Sequence, residues 1–554
     1  MKKPLQDASF WALFAAGIVT SVVVAAITWS LHHPYGTHWD EAEYLSYSGV
    51  DVQRLWAGKI LTVGGRILIK TFGRPPAYRI LALPFLAVVG FHTTTARLVS
   101  LACFVLSAWF VFLTGRRVGG RVAGAFAALI FTLSPEVVSA SAFFGTDTSL
   151  YLATSALLYY VALSWEDNSD RPDRWIGLGV AVGLGFLAKT TFFLIACPLL
   201  AFWLIAGHYG WLGIPTLAKE RKAGALAFLI AGPWWLLNAK KSFDYVHYAR
   251  NFVRNSLGAP SPATWMRWLD TVAQCLLGHG VVIAIGLVVV ACFVKVFVLK
   301  QKLLSRFQKA IAFACACTGM PIVLAQLSGT NHLLRHISPA VIPLALVVGL
   351  LAEQSGWAYS FPGAAAFALL FSAQLAMLVT PVIFPNKHPV NLKFPNGSPP
   401  WQALVRLDQW DWTPLERISQ SCGLNSPRIA YLGNGRAFNV PQIEYSWVLK
   451  DLPQPDVTWL WRYEDGALDW PALVNEADQN DIVITAPGFV GEKVIKEDLD
   501  NEHNLEFADH LSDDPLFKSP VTLAMGRFEP VQVLVFVKKA FVCGSPRAQV
   551  AAQQ

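Results

Sequence analysis

Between Phe10 and about Thr380 the sequence repeatedly enters runs of close to 20 apolar residues, and beyond Thr380 it does not. Roughly 20 apolar residues of helix cross a hydrocarbon core, and inside that core only helices and closed barrels satisfy their own backbone groups. Barrel strands need about 9–11 residues of alternating character, which these continuous runs are not. The fold class is therefore a polytopic α-helical membrane protein with about eleven transmembrane helices, followed by a soluble C-terminal α/β domain. Only 15% of the 554 residues are charged and 54% are hydrophobic, against roughly a quarter charged in a soluble protein. The expected division is 1–384 for the membrane domain and 385–554 for the soluble one.

The first run, Phe10 to Leu31, is too long for a signal-peptide apolar region and lacks a small-residue cleavage site, so it is read as a span. Further spans are expected near 96–114, 122–138, 148–164, 175–188, 191–206, 223–238, 274–298, 310–327, 337–352 and 361–380. The basic clusters Lys2-Lys3, Arg116–Arg121, Lys219–Lys222 and Lys295–Lys309 then all fall on one side, as the positive-inside rule requires of the cytoplasmic face. The net charge of +7 is therefore an orientation signal rather than a nucleic-acid footprint. The N-terminus is expected in the cytoplasm and the tail outside, in a bacterial inner membrane. The outer segments are then 32–95, 139–147, the break around Lys189, 239–273 and 328–336. Within the first of them, Val50–Lys70 spaces Arg54, Lys59, Arg66 and Lys70 almost helically, which predicts one or two helices lying in the membrane interface. The run Ile80–Phe91 is short for a span and is expected to dip or lie flat.

Beyond a stretch rich in Pro, Asn and Gly (Pro385 to Pro400), the segments at Arg428, Asp481 and Val531–Val537 read as strands of a small α/β domain. The lone Gly-x-Gly of LGNGRAFN is too weak to indicate a nucleotide. Six of the 8 cysteines lie in apolar runs and are read as small buried hydrophobes. Cys422 and Cys543 both fall in the tail, and spacing alone leaves their pairing open.

Charge on the outer segments is where chemistry is expected. Asp40 and Glu41 follow the first span in WDEAEY, Arg74 precedes Pro75-Pro76, Asp147 opens a later span, Lys189 separates two spans, and Arg335-His336 begin another. Carboxylates beside hydrocarbon are costly unless they face water, a cation or a substrate. Acids suit taking a proton from an acceptor, and Arg and Lys suit holding a phosphate.

These pieces, taken in order, resemble the GT-C superfamily of membrane glycosyltransferases, specifically the protein mannosyltransferase and lipid A aminoarabinose transferase-like group. The resemblance is carried by WDEAEY, RPPAYRILALPFLAVVGF, the stretch ARLVSLACFVLSAWFVFLTGRRVGGRVAGAFAALIFTLSP with Asp147 downstream, GFLAKTTFFL and RHISPAVIPLALVV. It covers most of residues 10–350, and each motif alone is weak.

The resemblance implies a donor sugar on a polyprenyl phosphate, presented from the bilayer, and a lipid, glycan or protein acceptor. It implies that Asp40 is the base on the acceptor hydroxyl or orients it, that Glu41 positions acceptor or base, and that Asp147 contacts acceptor or sugar. Arg74 stands where a Lys often precedes Pro in the group and would bind the donor phosphate, a change that keeps the charge and alters the geometry. Lys189, Arg335 and His336 are further candidates for phosphate or sugar. The reaction implied is a single displacement that inverts the anomeric centre. A divalent metal on Asp40, Glu41 and Asp147 is an alternative that three carboxylates without fixed spacing do not define.

Each residue also has a plainer reading. Asp40 lies three residues before Glu43, as in a capping box, and Asp147 also precedes helix-like sequence. Arg74 and Arg335 can anchor helix ends at an interface, Lys189 can simply end a span, and His332 and His336 lack an evident third ligand. The rival functional class is a transporter or flippase of a polyprenyl-linked or other amphipathic substrate. Transporters carry midplane charges, broken helices and repeated halves, none of which is legible in this sequence. A third class, a membrane-anchored scaffold working through its tail, leaves Asp40, Asp147 and Arg74 without a role.

Overall fold

The computed structural model describes residues 8–36, 39–69, 73–166, 172–216, 220–257, 262–328, 334–383, 409–433, 435, 437–460, 469–489, 503–526 and 530–544. Lys2, Lys3, Lys70, Lys219, His332, the Pro-rich stretch to 408 and part of LGNGRAFN lie outside them. The chain groups into two compact units, Met1–His32 with Leu61–Ala82 and Arg97–Arg406, and His33–Ile60 with Leu83–Ala96 and Leu407–Gln554. The second unit gathers two segments of the first outer loop with the tail.

In chain order the helices up to residue 383 are α1 (Ala8–Leu31), α2 (Trp39–Trp56), α3 (Ile60–Ile69), α4 (Ala77–Val89), α5 (Thr93–Gly119), α6 (Arg121–Thr132) and α7 (Pro135–Ser141). They continue as α8 (Thr146–Glu166), α9 (Pro172–Ala188), α10 (Phe192–His208), α11 (Arg221–Leu257) and α12 (Pro262–Thr271). The last are α13 (His279–Phe293), α14 (Arg306–Ser328), α15 (Leu334–Ile337), α16 (Val341–Ser355) and α17 (Phe361–Ile383). Among the described residues 6 helical stretches are long and apolar enough to cross a membrane: Ser9–Leu31, Thr93–Gly119, His279–Val298, Arg306–Leu327, Leu334–Ser355 and Phe361–Ile383. The bent pair α6–α7 makes a seventh if it is one span.

Small residues set the helix spacing in the first unit. A Cβ on Gly124 would stand 2.5 Å from the Phe112 carbonyl oxygen, and one on Gly349 would stand 2.4 Å from that of Ala123, so α5, α6 and α16 pack backbone to backbone. Gly179 and Gly183, one turn apart on α9, leave equivalent room for Leu226 and Ile230 of α11. Glu353 of α16 accepts from the Ala123 backbone N–H at 3.1 Å and so satisfies the start of α6.

Two sequence expectations differ from the structure. Residues 239–257 are not an open loop: α11 runs for 37 residues with Pro233 inside it. Its polar continuation is held to the first outer segment, where Asn238 Nδ2 donates to the Leu68 carbonyl at 2.6 Å and Ser242 Oγ to that of Gly73 at 2.7 Å. Broken helices do occur, since α6 and α7 meet at 71°. Gln374 of α17 stabilises that break, donating to the Leu133 carbonyl at 3.4 Å and accepting from the Gly280 N–H at 3.1 Å. One buried amide thus ties two interruptions, at Leu133 and at Gly278, where backbone groups would otherwise be left unpaired.

In the second unit the tail forms α18 (Thr413–Ser421), β1 (Arg428–Leu432), α19 (Val440–Leu449), β2 (Asp456–Trp459), α20 (Trp470–Ala477), β3 (Ile482–Thr485), α21 (Asn504–Asp513), β4 (Val521–Met525) and β5 (Val531–Val537). The sheet order is β2-β1-β3-β5-β4. β1 pairs in parallel with β2 and β3, while β5 pairs antiparallel with β3 and β4, so the sheet is mixed. The three expected strands are present, and the two missed ones, β2 and β4, are its edges. Apolar clusters cover both faces, one around Trp412, Ile429 and Ile484 and the other around Leu432, Val483 and Phe507. Cys422 and Cys543 form a disulfide across 121 residues of sequence.

The segment Val50–Lys70 holds the end of α2 and the whole of α3, two helices as expected. α2 packs against α19, with Gln53 Nε2 donating to the Val448 carbonyl at 3.1 Å. Gly49 has no side chain to keep Val448 and Phe91 away, and both reach the α2 backbone. The chain entering α2 is held as well, because Gln442 Nε2 of α19 donates to the Gly36 carbonyl at 2.9 Å.

Candidate functional site

In the first unit four charged side chains converge where helices begin or break. Asp147 lies in the first turn of α8. Lys189 follows the end of α9, in the short break before α10, and its Nζ donates to Asp147 Oδ1 at 2.6 Å. Both side chains are largely enclosed, 18% exposed for Lys189 and 13% for Asp147. Glu136, on α7 just past the bend, is buried and interacts electrostatically with Asp147, Arg335 and Lys189. Arg335 is half-buried on the single turn α15, and His336 beside it is also half-buried.

Two acids and two bases balance formally. Such a group tolerates enclosure far better than any one of its members would alone. It also contains, in one place, carboxylates able to take a proton and cations able to hold a phosphate. The frame is tied by neutral hydrogen bonds. Tyr151, one turn beyond Asp147, shares a 2.6 Å hydrogen bond with the Ser338 hydroxyl, and Ser338 Oγ donates to the Arg335 carbonyl at 3.0 Å.

Arg74 stands on the segment leading into α4. Its Nη2 donates to the Tyr245 hydroxyl at 3.0 Å, and its guanidinium lies 5.3 Å from the centre of that ring. Asn238, Ser242 and Tyr245 follow one another along one face of α11, so a single polar stripe fixes Arg74 and the chain just before it. Gly73 has φ +76°, and a Cβ there would meet the Lys241 carbonyl oxygen at 2.8 Å, so glycine is what allows this approach. At the start of α4, Tyr78 packs edge-on against Phe144, in the turn between α7 and α8, with centroids 5.8 Å apart.

Asp40 and Glu41 belong to the second unit, in the first turn of α2. Asp40 is 9% exposed and Glu41 is fully buried, as is Asp51 about three turns further along. Three enclosed acids on one short helix are more than a solvated helix start needs.

The structure therefore brings together Asp147, Lys189 and Arg335 from the sequence candidates, places Arg74 against Tyr245, and adds Glu136. Glu136 is hard to single out in the sequence because it sits at the edge of an apolar run that reads as a span. The available signal was an acid directly after Ser-Pro inside hydrophobic sequence. Among the described residues no three His, Cys, Asp or Glu side chains are grouped so as to hold a metal ion.

Comparison with known proteins adds an independent line. A family model described as dolichyl-phosphate-mannose-protein mannosyltransferase matches residues 73–236. The undecaprenyl phosphate-alpha-4-amino-4-deoxy-L-arabinose arabinosyl transferase 2 of Pseudomonas fluorescens is 25% identical over 270 residues, covering 48% of this chain and 46% of the relative. A type 1 enzyme of the same name from Sodalis glossinidius is 31% identical over 151 residues, 26% of each chain. The chain thus spans about half the length of the first curated relative and about a quarter of the second. Among solved structures, ArnT from Cupriavidus metallidurans bound to undecaprenyl phosphate superimposes with a TM-score of 0.58 at 14% identity, covering 95% of this chain and 97% of that one. The mycobacterial arabinofuranosyltransferase AftD gives 0.52 at 14% identity, covering 96% of this chain and 40% of that one. In sequence over about half of its length, and in fold over nearly its whole length, the chain resembles the GT-C membrane glycosyltransferases of the aminoarabinose-transferase and protein-mannosyltransferase type.

Proposed function

We propose that this protein is an integral membrane glycosyltransferase that moves a sugar from a polyprenyl-phosphate donor to an acceptor at the outer face of a bacterial inner membrane. The observation that carries the reading is the enclosed charge group Glu136, Asp147, Lys189 and Arg335 at helix ends, within a fold like that of a transferase solved with undecaprenyl phosphate.

The leaving group of such a reaction is a phosphate ester, which needs charge stabilisation more than a proton. Lys189, Arg335 and Arg74 would supply it. The acceptor oxygen would attack the anomeric carbon while a carboxylate takes its proton, and the polyprenyl phosphate would depart with the bonding electrons, inverting that centre. Asp40 is the proposed base or orienting acid, with Glu41 and Asp147 placing acceptor and sugar. Lys189 already holds Asp147 at 2.6 Å. A donor phosphate that draws Lys189 away would free Asp147 at the moment substrate arrives. His336 is proposed to contact the donor beside Arg335.

Eleven spans are proposed: the 6 long apolar helices, the bent α6–α7, and α8, α9, α10 and the first half of α11. That odd number sets the tail opposite a cytoplasmic N-terminus. The Cys422–Cys543 disulfide supports an oxidising compartment for it.

One observation favours the transporter reading, namely the 71° bend beside Glu136. Proteoliposomes separate the two. Transfer of label from an undecaprenyl-phosphate-linked sugar, lost in Asp40→Asn and Arg74→Ala, supports the enzyme. Transfer left intact in both variants refutes the roles given to these residues, and donor movement across the bilayer without transfer supports the transporter.

A further inference from the structure

The second unit contains a cleft of about 290 Å³ that none of the residues above lines. Its walls come from the chain before α2, the chain entering α5, the start of α18 and the end of α19, with Thr94, Thr413, Glu416, Ser446, Leu449 and Lys450 among them. Glu416 is the unusual member. It is only 3% exposed, it hydrogen-bonds Ser446, and its Oε1 is buried without a hydrogen-bond partner. A carboxylate oxygen enclosed in that way costs stability, which favours the protonated carboxyl.

The charge pattern narrows the ligand. Glu416 and Lys450 face the same cleft and offset one another, so a phosphate or carboxylate that approached Lys450 would meet the Glu416 carboxylate, and an organic cation would meet Lys450. A neutral molecule with several hydroxyls meets neither objection. The hydroxyls of Thr94 and Thr413 both donate and accept, Ser446 (whose own proton goes to the protein) and Glu416 accept, and Leu449 with Pro34 offers an apolar wall for C–H groups. The volume lies at the lower end for small-molecule sites, which fits one ring rather than an extended chain. Burial pushes the Glu416 carboxyl up to about 7, so close to neutrality it can offer either a carboxylate or a hydroxyl.

We propose that this cleft is a carbohydrate subsite that holds a single neutral sugar ring, with Glu416 receiving hydrogen bonds from its hydroxyls. The proposal goes beyond the transfer reading and does not depend on it, because binding can be measured whether or not the chain transfers sugar.

The test is saturation-transfer NMR on the full-length protein in a detergent without a sugar headgroup. The separate probes are the methyl glycosides of glucose, galactose and mannose, and N-acetylglucosamine. At least one probe is expected to bind saturably, about tenfold more weakly in Glu416→Gln and not at all in Thr413→Trp, whose indole fills the cleft. Unfolding midpoints of both variants check that each is folded, and Glu416→Gln alone decides the matter if Thr413→Trp is not. Binding by none of the four probes, binding indifferent to both variants, or competition by inorganic phosphate would each overturn the proposal.

Discussion

Replacing Gly49 by alanine distinguishes an α2 docked on α19 from one whose face at Gly49 is open, because the two predict opposite signs. On an open helix face Gly→Ala gains about 0.8–1 kcal/mol from the lower backbone entropy of the unfolded chain. Here the new Cβ would stand 2.4 Å from Val448 Cγ1 and 2.6 Å from Phe91 Cε1, and both must move. Overpacking of this kind typically costs about 1–3 kcal/mol. Set against the helix gain, the net is a loss of about 1 kcal/mol, or about 2–4 °C in midpoint for a unit of this size. The assay is thermal unfolding of the full-length protein in detergent, followed by tryptophan fluorescence. Val448→Ala removes one of the two clashing groups, so the double variant should lose about 1 kcal/mol less than the sum of the singles. A Gly49→Ala protein that is more stable than wild type, with no coupling to Val448, would refute the docking of α2 on α19.

Substituting Gln374 by leucine strips partners from the Leu133 carbonyl and the Gly280 N–H; a loss of about 1–3 kcal/mol is expected by the same unfolding measurement, and an unchanged midpoint would contradict the role given to this amide. Cys422→Ser with Cys543→Ser opens a loop of 121 residues, which the chain-entropy estimate puts at up to about 5 kcal/mol. Reductant should lower the wild-type midpoint and leave the double variant unmoved. Burial, then the charges of Glu43 and Asp456, raise the Glu444 carboxyl from 4.5 to about 7. The folded state therefore holds a proton that the unfolded state has released between those values, so stability from this group falls as pH rises through that window and is at its fullest below it. Glu444→Gln should be more stable than wild type at about pH 8 and close to it at about pH 4; an advantage that does not grow with pH would show that the carboxyl is not so perturbed.

The membrane helices were legible because their determinant is local. Each of the apolar runs read as a span falls on helix, with 122–138 broken between α6 and α7 and 274–298 broken at Gly278, since crossing hydrocarbon requires length and apolarity that a single stretch displays by itself. The boundaries were less legible where polar sequence continues a helix, as in α11, whose residues beyond Asn238 remain helical because they bind the Gly73 segment nearly 170 residues earlier. The docking of α2 was not legible at all, because its partner, α19, lies almost 400 residues away, and nothing near Gly49 announces it. In the tail, β1, β3 and β5 form the middle of the sheet and read as compact apolar runs. The edges β2 and β4 are half-exposed, and the burial of β4 alternates along its length, so their sequences carry a weaker signal. At the candidate site, charges at the ends of apolar runs were visible, but the pairing of Lys189 with Asp147 and the presence of Glu136 depend on how α7, α8 and α9 meet.

The most direct measurement is release of undecaprenyl phosphate from a labelled undecaprenyl-phosphate sugar by the purified protein in proteoliposomes, comparing wild type with Lys189→Met and Arg335→Met. Release by wild type, reduced about a hundredfold in each variant while folding is retained, is the expected result. Release that is equal in all three proteins would contradict a sugar-transfer role for the charge group around Asp147.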